Sequence, residues 1–176
     1  TGPLTDITQI AGGQTHTCAL LSSGQVRCWG ANADGRLGDG TTTDRARPVA
    51  VSNPEGTGPL TGVTHLAVGY LQTCAALDTG QAVCWGKNAN GQLGDGTTIT
   101  RLRPVVVSDP GGAGPLGGVT RLAAGATQTC ARVDSGQAYC WGVNLSTDVG
   151  DGLAVEHHRP FAVPNPDGTG PITGVD

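Results

Sequence analysis

The chain has 176 residues, with 30 glycines, 11 prolines, no methionine, aromatic residues at 3% and a formal net charge of −4. The length suits one ordinary domain, and the glycine and proline content disfavours long helices and favours short strands joined by tight turns. The weak negative charge, without a basic stripe, argues against a nucleic-acid partner, and no apolar run approaches the roughly 20 residues of a spanning helix, so no membrane insertion is expected.

The sequence repeats with a period of 56. Across units 1–56, 57–112 and 113–168, 23 of the 56 positions are identical in all three, so the units are expected to share one backbone. Residues 169–176 restart the pattern as the beginning of a fourth repeat. Thr1 is not a start methionine and no signal peptide is present. The expectation is therefore a fragment of a longer chain, or a unit that joins other copies as an oligomer.

Within the first unit, the predicted strands are residues 7–11, ended by Gly12-Gly13, then residues 17–21, then residues 25–29. A glycine-rich loop from Asn32 to Arg47 follows, and then a fourth strand over residues 48–51, whose proline favours an edge. A connector over residues 53–59 leads to the next unit. Four short strands per repeat predict an all-β fold of β-propeller blades, each of four antiparallel strands. The three blades would be part of a larger or oligomeric propeller, or of an open array.

The turn between the second and third strands is Ser22-Ser23-Gly24, repeated as Asp78-Thr79-Gly80 and Asp134-Ser135-Gly136. A three-residue hairpin loop with glycine third fixes the register. It sets Cys18 opposite Cys28, Cys74 opposite Cys84 and Cys130 opposite Cys140, at non-hydrogen-bonded sites with Cα atoms about 4.5 Å apart. That lies at the short end of disulfide geometry. Three disulfides within blades are expected, and with them an oxidising compartment, secreted or extracellular or periplasmic. Buried free thiols are the plainer alternative. Zinc is a third, disfavoured because the spacing is not that of close cysteine pairs and His16 has no counterpart in the other repeats.

Other residues invite chemistry less strongly. Asn32, Asp34 and Asp39, with Asn88, Asn90 and Asp95, could suggest calcium, but Asn and Asp in glycine-rich stretches more simply hold tight turns, so no metal is expected. Trp29, Trp85 and Trp141 stand at one strand position and fit packing between sheets better than sugar stacking. The Asn144-Leu145-Ser146 sequon is a glycan acceptor only in a host that glycosylates such sites. No nucleophile–base pair or carboxylate dyad is implied, so neither catalytic residues nor cofactors are expected. The variable position of the first strand offers only Gln9, His65 and Arg121.

In an up-and-down blade the first and third turns share one end, and these turns differ most between repeats. The candidate partner-binding residues are Gln14, His16, Tyr70, Leu71 and Gln128 from the first turns. Asp44, Arg45, Arg101, His157 and His158 come from the third.

The pattern Cys-Trp-Gly-x-Asn-x-x-Gly-x-Leu-Gly-Asp-Gly-Thr is complete at residues 28–41 and 84–97, with Ala-x-Gly upstream and Arg-Pro-Val downstream. It resembles the repeats of the regulator of chromosome condensation family, and most of all its bacterial, secreted, cysteine-bearing branch. The resemblance implies a β-propeller, typically closed by seven blades. Its members present loops to a partner: a small GTPase in the nuclear exchange factor, a β-lactamase in a secreted bacterial inhibitor. The third repeat departs from the loop motif, and no inserted segment suited to nucleotide exchange is present. The resulting expectation is a secreted, non-enzymatic module that binds a protein through loops on one face. The alternative is a structural extracellular protein that assembles with copies of itself into a ring or filament.

Overall fold

A computed structural model of the chain describes residues 2–144, 152–167 and 170–174. The described residues hold no helix and three four-stranded antiparallel sheets, each with its strands in chain order. The first blade is β1 (Ile7–Gly12), β2 (His16–Leu21), β3 (Val26–Gly30) and β4 (Arg45–Ala50). The second is β5 (Val63–Val68), β6 (Gln72–Leu77), β7 (Ala82–Gly86) and β8 (Arg101–Val106). The third is β9 (Val119–Ala124), β10 (Gln128–Val133), β11 (Ala138–Gly142) and β12 (His157–Ala162). This is the expected propeller-blade architecture.

The hairpin between β2 and β3 closes as its sequence requires. Leu21 N–H donates to Gln25 O at 2.9 Å, Gly24 N–H donates to Leu21 O at 2.9 Å, and Gly24 takes φ 74°, a conformation open to glycine at little cost. The register that follows sets Cys18 against Cys28, Cys74 against Cys84 and Cys130 against Cys140. All three pairs are disulfide-bonded, each with a Cα–Cα distance of 4.1 Å, and no described cysteine is free.

Two expectations need correction. The first turn is shorter than its variable stretch suggests, because Gly13 N–H donates to His16 O at 2.8 Å. That bond leaves only Gln14 and Thr15 as loop and makes His16 the first residue of β2; Gln72 and Gln128 likewise open β6 and β10. The fourth strand begins at Arg45 rather than Pro48, because Arg45 pairs with Gly30 across the sheet. The ladder shifts between Cys28 and Gly30, so Pro48, which has no N–H to give, sits within an irregular stretch of an edge strand.

The core lies between blades. Cys18, Cys28, Leu37 and Val51 of blade 1 pack against Leu60, Leu66 and Trp85 of blade 2. Cys74, Cys84, Leu93 and Val107 repeat this against Leu116, Leu122 and Trp141 of blade 3. The Cys18–Cys28 and Cys74–Cys84 bridges therefore face the following blade. Trp85 and Trp141 are fully buried, and their indole N–H groups donate to the Arg36 and Gln92 carbonyls of the preceding blade's loop, both at 2.9 Å. A Cβ on Gly38 or Gly94 would lie 2.7 or 2.8 Å from the indole nitrogen, so only glycine lets the loop lie on the ring. Trp29 is only half-buried, and no loop covers it among the described residues.

Polar contacts repeat across the same junctions. Gln9 holds both backbone groups of Leu66, donating to its O at 2.7 Å and accepting from its N–H at 2.9 Å. Gly40 N–H donates to Leu102 O at 3.0 Å, and Gly96 N–H to His158 O at 2.9 Å. The Arg103 guanidinium lies against Gly40 and Gly56, and that of Arg159 against Gly96 and Gly112.

Candidate functional site

The end of the blades carrying the first and third turns is built on a buried asparagine. In blade 1, the Asn32 amide donates to Asp39 Oδ1 at 3.1 Å, Thr41 O at 3.0 Å and Thr43 O at 3.1 Å, and its Oδ1 accepts from Leu37 N–H at 3.0 Å. Asn88 repeats these contacts in blade 2 with Asp95, Thr97 O, Ile99 O and Leu93 N–H. This cage satisfies the backbone of an otherwise irregular loop, as buried polar groups require.

The aspartates belong to the same cage. Asp39 accepts from Thr41 N–H at 3.0 Å, Thr41 Oγ1 at 2.7 Å and Arg45 Nε at 2.8 Å. Burial alone would raise its carboxyl pKa, but the hydrogen bonds from Thr41, Arg45 and Asn32 outweigh burial and hold it below the ordinary carboxylate value. Asp95 is lowered the same way, against burial, by Thr97 and Arg101. Protein donors thus occupy the oxygens that a calcium ion would need. Among the described residues, no group of three or more His, Cys, Asp or Glu side chains could hold a metal.

Asn144 stands at the same place in blade 3. It is fully buried and its amide donates to Leu153 O at 2.6 Å, so the sequon's asparagine is enclosed by its own loop. Leu145, Ser146 and Asp148 lie outside the described residues.

The candidate partner-binding residues fall into three groups. Gln14, Asp44 and Tyr70 are exposed, and Leu71, Gln128, Arg45, Arg101, His157 and His158 are half-buried. His16 is buried: its Nε2 lies 2.9 Å from Thr73 Oγ1 in the next blade. Thr73 Oγ1 donates its own proton to Arg36 O at 3.1 Å, so His16 carries its hydrogen on Nε2, and its Nδ1 has no partner. Burial first, and then the nearby Arg36 charge, lower the His16 pKa to about 4. Arg45 and Arg101 are ion-paired to Asp39 and Asp95 at 2.7 and 2.8 Å. His158 lies 3.6 Å from Glu156, which in turn accepts from the Asn90 amide of blade 2 at 2.9 Å.

Ile99 and Val155 open the varied third turns of blades 2 and 3 but are not among the candidate residues; they lie at the turn tips, 58% and 56% exposed. They align with Thr43, and the signal was available in the repeat alignment: an apolar residue replacing a polar one at a loop tip.

Comparisons place these features in a family. Models of the regulator of chromosome condensation (RCC1) repeat match residues 23–76 and 79–132, and residues 7–36 and 63–92. The ultraviolet-B receptor UVR8 of Arabidopsis thaliana is 36% identical over 101 residues, which are 57% of this chain and 22% of that protein. The crystal structure of human WBSCR16 superposes with a TM-score of 0.72 at 26% identity, over 88% of this chain and 37% of that one. Prp20p of Saccharomyces cerevisiae, whose structure was described with its binding to Gsp1p and histones, gives a TM-score of 0.73 at 18% identity, over 93% and 40%. The chain thus spans about two fifths of these solved relatives and less of the curated one. On its repeats, its sheets and these matches, the chain belongs to the regulator of chromosome condensation (RCC1) repeat family.

Proposed function

We propose that the chain is a protein-binding module that works through the end bearing the first and third turns. One observation carries this reading: near-identical asparagine cages hold third-turn loops whose tips differ, those tips expose Ile99 and Val155, and the first turn of blade 2 exposes Tyr70 at the same end. Buried apolar clusters ringed by polar groups are what protein partners dock on. A rigid scaffold with divergent loops provides such a surface without ordering cost on binding. Arg45 and Arg101 serve the cages, so the partner meets Gln14, Asp44, Tyr70 and Ile99 first.

The reading is non-enzymatic, because the polar groups of this end are engaged in holding loops. It is also extracellular or periplasmic, because three disulfides survive where thiols are not kept reduced. The cysteine pairs likewise favour the secreted branch of the family.

The test compares proteins captured by photo-crosslinking from the end bearing Tyr70. A Tyr70→Ala, Ile99→Asn variant should lose what the unaltered chain captures, while Ser23→Ala, at the opposite end, should keep it. Equal capture by all three would count against this face.

A further inference from the structure

We infer that the groove along β8, the outermost strand of blade 2, is a docking site for an extended acidic segment of a partner protein. The groove lies on the rim of the blades, away from the tips at the loop-bearing end, so this goes beyond the reading above.

Three features meet there. The first is a strand edge. β8 pairs with β7 on one side and with no strand on the other. Val107 N–H donates to Ala82 O at 2.9 Å, and Val106 stands opposite Val83. Antiparallel pairs alternate between bonded and non-bonded, so Val106 turns its N–H and carbonyl away from β7. Nearer the start of the strand, Leu102 O accepts the Gly40 N–H of blade 1 at 3.0 Å. This edge thus already takes one backbone donor from outside its own sheet.

The second feature is an apolar lining. Pro54 of blade 1 and Leu102, Pro104 and Val106 of β8 line a groove of about 580 Å³. Leu102 and Val106 are 36% and 38% exposed, so water meets apolar side chains along its length.

The third feature is charge. Of the nine arginines, six make hydrogen bonds or ion pairs. Among the described residues, the three that make none are Arg47, Arg103 and Arg159, which stand at one register, once per blade. Arg103 lines the groove. It is exposed yet held in place. Its Nε, Cζ and Nη2 lie within 3.1 Å of where a Cβ would stand on Gly40 and on Gly56 of the preceding blade. Arg159 is held the same way over Gly96 and Gly112. Glu55, beside Gly56, forms no ion pair with Arg103 among the described residues.

An arginine that only guards an edge against pairing needs charge, not a fixed position. Arg103 is fixed in the wall of an apolar groove with its charge unanswered, an arrangement suited to a carboxylate. An extended peptide is the occupant that uses all three features. Its backbone pairs with Val106, its apolar side chains cover Leu102 and Val106, and an Asp or Glu meets Arg103.

Selection of random short peptides, displayed on phage, against the intact chain tests this. Bound sequences should carry Asp or Glu flanked by apolar residues. A synthetic copy of the tightest binder, followed by fluorescence anisotropy, should bind Arg103→Glu about tenfold more weakly. It should bind Ile99→Asn, altered at the loop-bearing end, as well as it binds the unaltered chain. Both variants should keep their disulfides and circular dichroism, and amide exchange at Val106 should slow in the complex. Binders that lack an acidic residue, or that bind Arg103→Glu equally well, would overturn the inference. So would equally tight binding of polyglutamate, which would make Arg103 a contact for any polyanion.

Discussion

His16 shows how one side chain can make a repeat protein acid-sensitive. Blades 2 and 3 carry Gln72 and Gln128 at its position, and the Gln72 amide donates to Gly125 O at 3.1 Å. Blade 1 instead buries a neutral imidazole whose pKa is about 4 in the folded chain, against 6.5 as the ordinary value. Between these values the unfolded chain binds more protons, so stability is full above pH 6.5 and falls as the pH drops toward 4. Across the full window the loss is on the order of 3 kcal/mol. His65, lowered by burial and then by Arg121, adds in the same direction. The depressed Asp39 and Asp95 carboxyls act lower still, where their protonation releases the cages. His16→Gln should therefore shrink the drop in Tm between pH 7 and pH 4.5, leaving the more acidic loss in place. An unchanged drop would mean that His16 is not its source.

At the scale of the element, the same tryptophan has unequal worth in the three blades. Trp85→Ala should cost about 3–5 kcal/mol, since it empties a buried site and removes one of the two donors to the Arg36 carbonyl. Trp29→Ala should cost less than Trp85→Ala, because its ring is only partly covered. Equilibrium urea unfolding of the two variants checks this, and equal costs would contradict the packing described. The hairpin of β2 and β3 was fully legible in the sequence, because a three-residue turn with glycine third leaves the register no freedom and so decides the disulfides. The fourth strand was not. Its start depends on Asp44 accepting the Asn32 backbone N–H at 2.7 Å and on Arg45 reaching Asp39, contacts among residues several positions apart in a loop that reads as irregular. His16 read as a turn residue because it varies, yet it varies inside a junction, where a neighbouring blade, invisible to local pattern, supplies its partner.

Across the described residues, both apolar clusters join one blade to the next, while all three covalent cross-links stay inside a blade. The arrangement also sets how the chain would behave under tension. Pulled from its ends, it parts first at the junctions, where only non-covalent contacts hold. Each blade then pays out its chain, except for residues 19–27, which the bridge between Cys18 and Cys28 keeps out of the load path. In a force-extension trace each blade should lengthen in one step, about 30 Å shorter than after reduction with a thiol. Steps of equal length in the two conditions would mean that the bridges carry no load. The disulfides thus act as length limiters, turning each blade into a link of fixed maximum reach.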